Sequence, residues 1–227
     1  MKSTDISSLD VFYETDAGKN MESEMAIHIS NSLRRSDTKI LALGFCANFF
    51  EQIRVSNLFY AIPNGYPQVH WPKIRPFKTV VVDEAALPFS PDTLDCIVAV
   101  HFMEFSTRNN DFLKEAFRVL KIGGKLMTIA VNGGGIQLTG SPIVRRTRNQ
   151  VKDIVHAVSN ESFMVTELLC FGAERCWRHT FEHVANAYEE IFVQLFSFMS
   201  SVVMLTAEKT KLLPESVRPL EARCETA

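Results

Sequence analysis

Apolar and polar residues alternate along the chain in blocks, and these blocks predict strands and helices in turn. Short apolar runs, bounded by glycine, proline or charged residues, predict buried strands at 40–43, 57–62, 79–82, 94–100, 125–131, 163–170 and 201–206. Helices are predicted between them at 22–35, 49–53, 111–121, 147–158 and 181–196. Strands that alternate with helices in this way indicate an α/β fold, in which a mostly parallel sheet is covered by helices on both faces.

Local signals also mark where two of these helices begin or end. The Gly123-Gly124 pair follows the helix predicted at 111–121 and is expected to terminate it. Thr147 and Gln150 have the spacing of a capping box, which predicts the start of the next helix. The segment 132–146, which contains a triple glycine, is expected to form a mobile loop over the functional site.

Length and composition limit the class of protein. A chain of 227 residues predicts one domain, which we place at 1–208, followed by a polar tail at 209–227. No apolar run approaches the length needed to cross a bilayer. The net charge of -2 gives no sign of the basic surface that binding to a nucleic acid requires. The N-terminus does not resemble a secretion signal, so we expect a cytoplasmic protein without membrane or nucleic-acid partners.

Metal and disulfide chemistry receive little support from the sequence. The five cysteines are odd in number and lack C-x-x-C spacing, so reduced thiols are predicted. His179 and His183 belong to an H-x-x-E-H pattern like that of inverted zinc proteases. The match is short and no third ligand is well placed, so no metal site is predicted and the pattern is interpreted as a polar stripe on a helix.

Two longer motifs carry a family resemblance. Residues 83–89 read D-E-A-A-L-P-F, and residues 117–126 read F-R-V-L-K-I-G-G-K-L, with a Leu-Asp pair at the start of the fourth strand between them. In order and spacing this pattern resembles the class I S-adenosylmethionine-dependent methyltransferases of the type 11 branch, with Ile122 in place of a proline. The motifs at 69–72 and 82–85 also look like a divergent bacterial subgroup whose first loop is poor in glycine.

The resemblance implies a Rossmann-like fold of seven strands with an antiparallel C-terminal strand. It also implies S-adenosylmethionine as the cofactor and a small-molecule or protein methyl acceptor. The family's pattern maps Asp83 onto the acceptor for the adenine amino group, and Asn64 onto the position facing the ribose. The complete set of implied cofactor-binding residues is Gly44, Cys46, Asn64, Asp83, Glu84, Val100 and His101.

The first loop departs from the family's pattern. Where the family reads D-x-G-x-G-x-G, this chain has Ala42, Gly44, Cys46 and Asn48 at the four named positions. Glycine lets the backbone approach a ligand closely and adopt positive φ, so each added Cβ narrows the site. After the second strand, Pro63 and Asn64 replace the usual acid. Two readings follow: the cofactor still binds, or the fold persists as a binding or assembly protein with impaired catalysis.

If the protein is an enzyme, a base is needed only when the methyl acceptor must lose a proton. His101 and Glu104, just beyond the fourth strand, are the predicted candidates, and His70 is the next. A hydrogen-bonded structural histidine is the competing interpretation of His101. Trp71 is at least as well explained by packing as by a place in the wall of a ligand pocket. For the arginines at 145, 146 and 148, a solvated face is favoured over binding of an acidic substrate. A dinucleotide-dependent reductase ranks third, because G-x-G-x-x-G is missing after the first strand.

Overall fold

The computed structural model of the protein describes residues 7–34, 39–51, 53, 55, 57–64, 66, 79–132, 151–171, 176–180 and 202–210. These residues form five helices and eight strands. The helices are α1 (Ser7–Glu14), α2 (Asp16–Ser32), α3 (Ala47–Glu51), α4 (Asn109–Val119) and α5 (Val151–Asn160). The strands are β1 (Ile40–Gly44), β2 (Leu58–Pro63), β3 (Thr79–Val82), β4 (Leu94–Val100), β5 (Leu120–Val131), β6 (Phe163–Phe171), β7 (Cys176–Thr180) and β8 (Val202–Lys209).

All eight strands form one sheet in the order β3-β2-β1-β4-β5-β8-β6-β7. Strands β1 to β5 pair in parallel, while β8 is antiparallel to both β5 and β6. The predicted mostly parallel sheet with an antiparallel C-terminal strand is therefore confirmed. Strand β7 extends the sheet by a further antiparallel edge strand, which the sequence did not predict. The strand order reverses between β1 and β4, which is where open α/β sheets bind ligands.

Side chains of the central strands alternate between two apolar clusters, one on each face of the sheet. On one face Leu41 and Ile97 pack with residues of α4 and α5, including Phe112. On the other face Ile40 and Val98 pack with residues of α1, α2 and α3. Because both faces are buried, β1 and β4 are nearly continuous apolar runs, as expected for parallel strands. Helices on both faces are thus confirmed.

The two N-terminal helices differ from the sequence-based prediction. Helix α2 begins at Asp16, six residues before the predicted start at 22, because Thr15 caps it by accepting a hydrogen bond from the amide of Gly18. Helix α1 was not predicted at all. Leu9 and Tyr13 are its buried residues, and their spacing of four is a weak signal in so short a segment.

The prediction that Gly123 and Gly124 terminate the fourth helix is wrong. Helix α4 ends at Val119, and the chain enters β5 directly. The pairing of β4 with β5 shifts register after Leu94, so the two glycines lie in a bulge of β5. Gly123 has a φ of +74°, and a Cβ on Gly124 would lie 2.8 Å from the carbonyl oxygen of Lys121. Glycine is required there by the bulge rather than by a helix end.

Most strand predictions lie within two residues of the observed bounds, but β5 begins five residues before the predicted start at 125 and β8 ends three residues after the predicted end at 206. Strand β6 ends one residue later than predicted, and β8 continues to Lys209, one residue past the domain boundary placed at 208. Helix α5 agrees with the predicted end of its helix to within two residues. Within the described part of the chain, no helix combines the length and apolar character needed to traverse a bilayer.

Several predictions fall outside the described residues and stay predictions. They are the capping box at 147–150, the loop at 133–146, the helix at 181–196, His70, Trp71, the arginines at 145, 146 and 148, and the tail beyond 210. His179 is described only as a residue of β7, where it pairs in register with Leu168. For that residue, the interpretation as part of a helical stripe is wrong.

Candidate cofactor site

The turn after β1 is built around Gly44. Its φ is +88°, a left-handed conformation that residues with a Cβ adopt only at a cost. A Cβ there would lie 2.5 Å from the carbonyl oxygen of Val100 and 3.3 Å from the Cβ of Phe102. The next amide, of Phe45, donates to the same Val100 oxygen at 2.8 Å. The turn is therefore fixed against the end of β4, and only glycine fits its first position.

The two residues that replace glycines in this loop differ in burial. Cys46 is fully buried in the core, and its thiol donates to the carbonyl oxygen of Leu43 at 3.0 Å. Burial raises the pKa of the Cys46 thiol, so the group stays protonated. Asn48 lies on α3 and is exposed. Cys46 can therefore contribute only its backbone to a ligand, and its side chain does not fill the space above the sheet.

The ends of β2 and β3 carry polar groups that face outward. Asn64 is exposed, and its backbone N–H donates to the carbonyl oxygen of Val82 at 3.3 Å. The half-exposed carboxylate of Asp83 accepts from the amide of Ala85 at 3.0 Å and from Arg108 Nη1 at 3.2 Å. These contacts hold the Asp83 carboxylate at the edge of the sheet with its position fixed by a tight turn.

Two further contacts support this corner of the site. Glu84 accepts a hydrogen bond from the hydroxyl of Ser106 at 2.8 Å, which ties the turn after β3 to the loop after β4. Arg108 also donates from Nε to Asp111 at 3.0 Å, and this hydrogen bond raises the pKa of the guanidinium. Arg108 therefore joins Asp83 to the start of α4.

The end of β4 carries a buried chain of hydrogen bonds. His101 follows the strand with a φ of +49°, and its amide donates to the carbonyl oxygen of Ile129 at 2.7 Å. Its side chain is completely buried. The hydroxyl of Tyr13 lies 2.6 Å from His101 Nε2, and His101 Nδ1 lies 2.7 Å from Glu104 Oε1. A neutral imidazole satisfies both contacts if Tyr13 donates to Nε2 and Nδ1–H donates to Glu104.

Glu104 is the unusual member of this chain. Its Oε1 also accepts from the amide of Val131 at 3.0 Å, while its Oε2 is buried and has no hydrogen-bond partner among the residues that the structure describes. The pKa of Tyr13 is raised, first by burial and then by the negative charges of Glu104 and Glu22. The phenol therefore stays protonated and is available as a donor to His101.

Aromatic side chains cover these polar groups. The ring of Tyr13 stacks on Phe45 with centroids 5.6 Å apart, and meets Phe49 edge to face at the same distance. Tyr66 donates to the carbonyl oxygen of His101 at 3.2 Å, and burial raises the pKa of its phenol. Tyr13 of helix α1 and Tyr66 thus both contact His101 at the carboxyl end of β4.

The structure brings the predicted site residues to one edge of the sheet in two groups. Gly44, Val100, His101 and Glu104 meet at the ends of β1, β4 and β5. Asn64, Asp83 and Glu84 lie at the ends of β2 and β3, while Cys46 belongs to neither group because its side chain is in the core. Sequence reasoning missed the aromatic partners of the first group, namely Tyr13, Phe45 and Tyr66. The spacing of Leu9 and Tyr13 on one helical face was the available signal for the first of these.

Comparisons with known proteins agree with this arrangement. Residues 63–128 match a family model described as a methyltransferase domain. No curated protein sequence matches the chain. Among solved structures, an S-adenosylmethionine-dependent methyltransferase from Archaeoglobus fulgidus is similar in fold, with a TM-score of 0.61 and 11% identity over 87% of this chain and 96% of that one.

Two other solved structures show the same fold. A chain from a complex with the Haloferax volcanii methyltransferase activator gives a TM-score of 0.58 and 13% identity, and the match covers 88% of this chain and 97% of that one. The geranyl diphosphate C-methyltransferase of Streptomyces coelicolor gives 0.52 and 11% identity over 85% of this chain and 79% of that one. The resemblance to class I S-adenosylmethionine-dependent methyltransferases is therefore confirmed, through the methyltransferase-domain model over residues 63–128 and through the fold.

Proposed function

We propose that this protein is an S-adenosylmethionine-dependent methyltransferase that acts on a small-molecule or protein acceptor. The proposal rests mainly on one observation, which is the order of polar groups along the strand ends. Gly44 ends β1, and Asn64 and Asp83 follow the neighbouring strands β2 and β3, beside the point where the strand order reverses. A nucleoside cofactor in an open α/β sheet binds along this edge.

The residues present fit such a cofactor. Asp83 and Asn64 offer hydrogen-bonding groups for an adenine amino group and for ribose hydroxyls. The side chain of Cys46 is turned into the core, so the loss of a glycine there does not by itself close the site. The charged amino-acid end of the cofactor would lie beyond Gly44, toward the buried carboxylate of Glu104.

Bound S-adenosylmethionine supplies a methyl group on a sulfonium, which is already an excellent leaving group. The protein then has to align the acceptor and exclude water, and alignment alone can lower the barrier by roughly 7 to 11 kcal/mol. Tyr13 and Phe45 of the aromatic cover are placed to exclude water from the ends of β1 and β4. We propose that His101 and Glu104 assist if the acceptor carries a proton that must leave.

The geometry puts a condition on that role. Both ring nitrogens of His101 are already within hydrogen-bonding distance of Tyr13 and Glu104. For a neutral ring that accepts from Tyr13, taking up a proton at Nε2 requires Tyr13 to give up this contact. The structural interpretation of His101, in which the ring holds α1 against the end of β4, therefore accounts for the same contacts without catalysis.

Calorimetric titration with S-adenosylmethionine and S-adenosylhomocysteine tests the proposal. Wild-type protein should bind both in the micromolar range, and Asp83→Ala should weaken binding at least about tenfold, because a charged acceptor is lost. Asp111→Ala is the matched control, since it removes the other carboxylate partner of Arg108 without touching the strand end. It should leave affinity unchanged.

The same titration separates the main proposal from the alternative. If neither ligand binds at millimolar concentration, the protein is better described as a binding or assembly protein that keeps the fold. Equal losses in the Asp83 and Asp111 variants would point to Arg108, rather than Asp83, as the group that matters. Membership of a divergent bacterial subgroup and a cytoplasmic location stay predictions.

A further inference from the structure

The carboxylate of Glu104 is buried with one oxygen unused. The side chain is 0% exposed, and Oε1 already accepts from His101 Nδ1 and from the amide of Val131. Oε2 has no partner in the described part of the chain. Removing an ionised oxygen from water without giving it a donor is strongly unfavourable, so such an atom in a ligand-binding edge points to a donor that the ligand brings.

Among the described residues, Glu104 forms no ion pair with a lysine or arginine, and the one group that could carry a positive charge against it is His101. Its hydrogen-bond partners are a histidine, which can remain neutral, and a backbone amide. The other carboxylates that act on the surrounding tyrosines are Glu22, near Tyr13, and Glu84, near Tyr66. This corner is therefore acidic and lined with aromatic rings, which favours a positively charged ligand group over a neutral one.

The position of Glu104 in the fold identifies which part of a ligand would meet it. Val131 is the last residue of β5 and His101 the first after β4, so the carboxylate lies where these two strands end. Asp83 lies at the end of β3, at the other end of the row β3-β2-β1-β4-β5. A ligand that places its base at Asp83 extends along the row toward Glu104, and a second ligand would bind next to it.

We propose that Glu104 Oε2 binds the ammonium group of a ligand and so makes a positively charged nitrogen a requirement of the site. This inference rests on the proposed function and deepens it. Two sources share this chemistry: the amino-acid end of the cofactor, and an amine that serves as methyl acceptor. In either case the carboxylate of Glu104 would supply an acidic group to the site. The first loop does not supply one, because Ala42 stands where the family's pattern has an aspartate.

Glu104→Gln is the decisive variant. Glutamine keeps the shape and can keep both contacts of Oε1, while an N–H donor replaces Oε2. Glu208→Gln is the matched control, because it makes the same chemical change at the opposite edge of the sheet, where the carboxylate pairs with Arg34. Circular dichroism of both variants checks that they fold.

The first arm tests the cofactor as the source of the ammonium. S-adenosylhomocysteine carries the amino-acid portion, and 5′-methylthioadenosine lacks it. If the cofactor supplies the group, Glu104→Gln should weaken binding of S-adenosylhomocysteine about tenfold or more, as expected for a hydrogen bond to a charged group. Affinity for methylthioadenosine should be unchanged, and Glu208→Gln should affect neither ligand.

The second arm tests an acceptor amine. Butylamine and benzylamine are added to protein saturated with S-adenosylhomocysteine, with butanol and benzyl alcohol as neutral counterparts. If the acceptor supplies the group, an amine should raise the melting temperature of the wild type and of Glu208→Gln but not of Glu104→Gln. The alcohols should have no comparable effect on any of the three proteins.

A third readout needs no ligand. Without a donor for Oε2 in the free protein, Glu104→Gln should melt at the same temperature as wild type or higher. A fall of about 6 °C or more would indicate that a cation of the chain itself pairs with Glu104, and would overturn the inference. Equal binding of both nucleosides by wild type and Glu104→Gln, with no amine effect, would overturn it while leaving the proposed function intact. Failure of the wild type to bind any of these ligands would remove both.

Discussion

The two edges of the central sheet hold their charges in opposite ways. At the amino edge, where β4 and β5 begin, acidic and basic side chains meet, as in the partly exposed pair Arg34–Glu208 at 2.7 Å and the pair of buried Lys209 with exposed Asp92 at 2.8 Å. At the carboxyl edge, Glu104 is fully buried, and its hydrogen-bond partners in the described part of the chain are a histidine and a backbone amide. Asp83 at the carboxyl edge is paired with Arg108 as well, so the contrast lies in Glu104, which has no lysine or arginine partner among the described residues.

This difference separates the part of the fold that serves stability from the part that serves binding. Exposed ion pairs contribute little free energy, and their loss leaves groups that water can solvate. A buried carboxylate with an unused oxygen reduces stability unless something outside the chain satisfies it. Polar groups that lower the stability of the free protein are expected at a site whose partner is a ligand, and this is the edge at which open α/β sheets bind ligands.

The largest expected effect comes from the turn at the carboxyl edge. Gly44→Ala should lower the free energy of unfolding by about 3 kcal/mol or more, because it combines an unfavourable φ with a Cβ 2.5 Å from the oxygen of Val100. Gly123→Ala, in the bulge at the amino edge, has a similar φ of +74° with nothing within 4 Å of its Cβ. It should cost only about 1 kcal/mol.

Urea denaturation of both variants measures this difference. If the two substitutions destabilise the protein equally, the close contact between Gly44 and β4 contributes nothing beyond the backbone conformation. The turn would then be free to move away from Val100, and the rigid carboxyl edge described above would be wrong.

The second prediction concerns the most buried cation of the amino edge. Lys209 donates to the carbonyl oxygen of Leu120 at 2.7 Å and to Asp92, and its ammonium lies 4.8 Å from the centre of the Phe117 ring. Lys209→Met keeps the apolar stem but removes these contacts, so it should cost about 2 kcal/mol. Asp92→Asn removes only the exposed acid of the pair, tolerates its φ of 51°, and should cost under about 0.5 kcal/mol.

Thermal or urea unfolding of these two variants shows whether Lys209 stabilises the protein mainly through its ion pair with Asp92 or mainly through its contacts with Leu120 and Phe117. Similar losses in both would mean that the ion pair dominates. In that case the amino edge would depend on paired charges in the same way as we propose for Glu104 and its ligand.

The sequence predicted the sheet well because the strands depend on local patterns. The runs at 40–43 and 94–100 are apolar since both faces of these strands are buried, and this information is present in the residues themselves. The left-handed turn at Gly44 was predictable for the same reason. The candidate site was predicted only in part, because its contacts join residues distant in sequence. Tyr13 and His101 are separated by 88 positions, and no periodicity links them.

The incorrect predictions have physical causes of the same kind. A pair of glycines after a helix is typical of a helix end, yet at 123–124 it serves a bulge whose geometry depends on the neighbouring strand β4. For Cys46, the place in the cofactor loop stays a prediction, and the rotation of its side chain into the core depends on contacts with Leu43 and Val98. The residues of β4, including Val98, are distant in sequence from both features, so no local sequence pattern contains them.

The third prediction is an alkaline loss of stability. Burial raises the pKa values of Tyr13, Tyr60 and Tyr66 above the ordinary value of 10.0, and these are three of the four tyrosines. Above pH 10 the unfolded chain releases phenolic protons that the folded protein retains, so stability falls as pH rises. Each such tyrosine should contribute a slope of about 1.4 kcal/mol per pH unit.

Tyr60→Phe checks the sign and the size of this effect. It should destabilise the protein modestly at pH 8, where it removes the hydrogen bond to the carbonyl oxygen of Gly44, and should make the decline above pH 10 less steep. Absorbance at 295 nm follows phenolate formation in the folded protein. Titration of most tyrosines before the protein unfolds would contradict the burial of Tyr13, Tyr60 and Tyr66.

The smallest expected effect is at the most exposed pair of the amino edge. Arg34 is half-exposed, and Arg34→Ala should change the free energy of unfolding by no more than about 0.5 kcal/mol. A double-mutant cycle with Glu208→Gln isolates the coupling between the two side chains, which should shrink further as salt is added. A coupling above about 1 kcal/mol that resists salt would show that this edge, too, holds charges shielded from water. The contrast with Glu104 would then be one of degree, and an unsatisfied carboxylate at the carboxyl edge would lose its value as a marker of the ligand site.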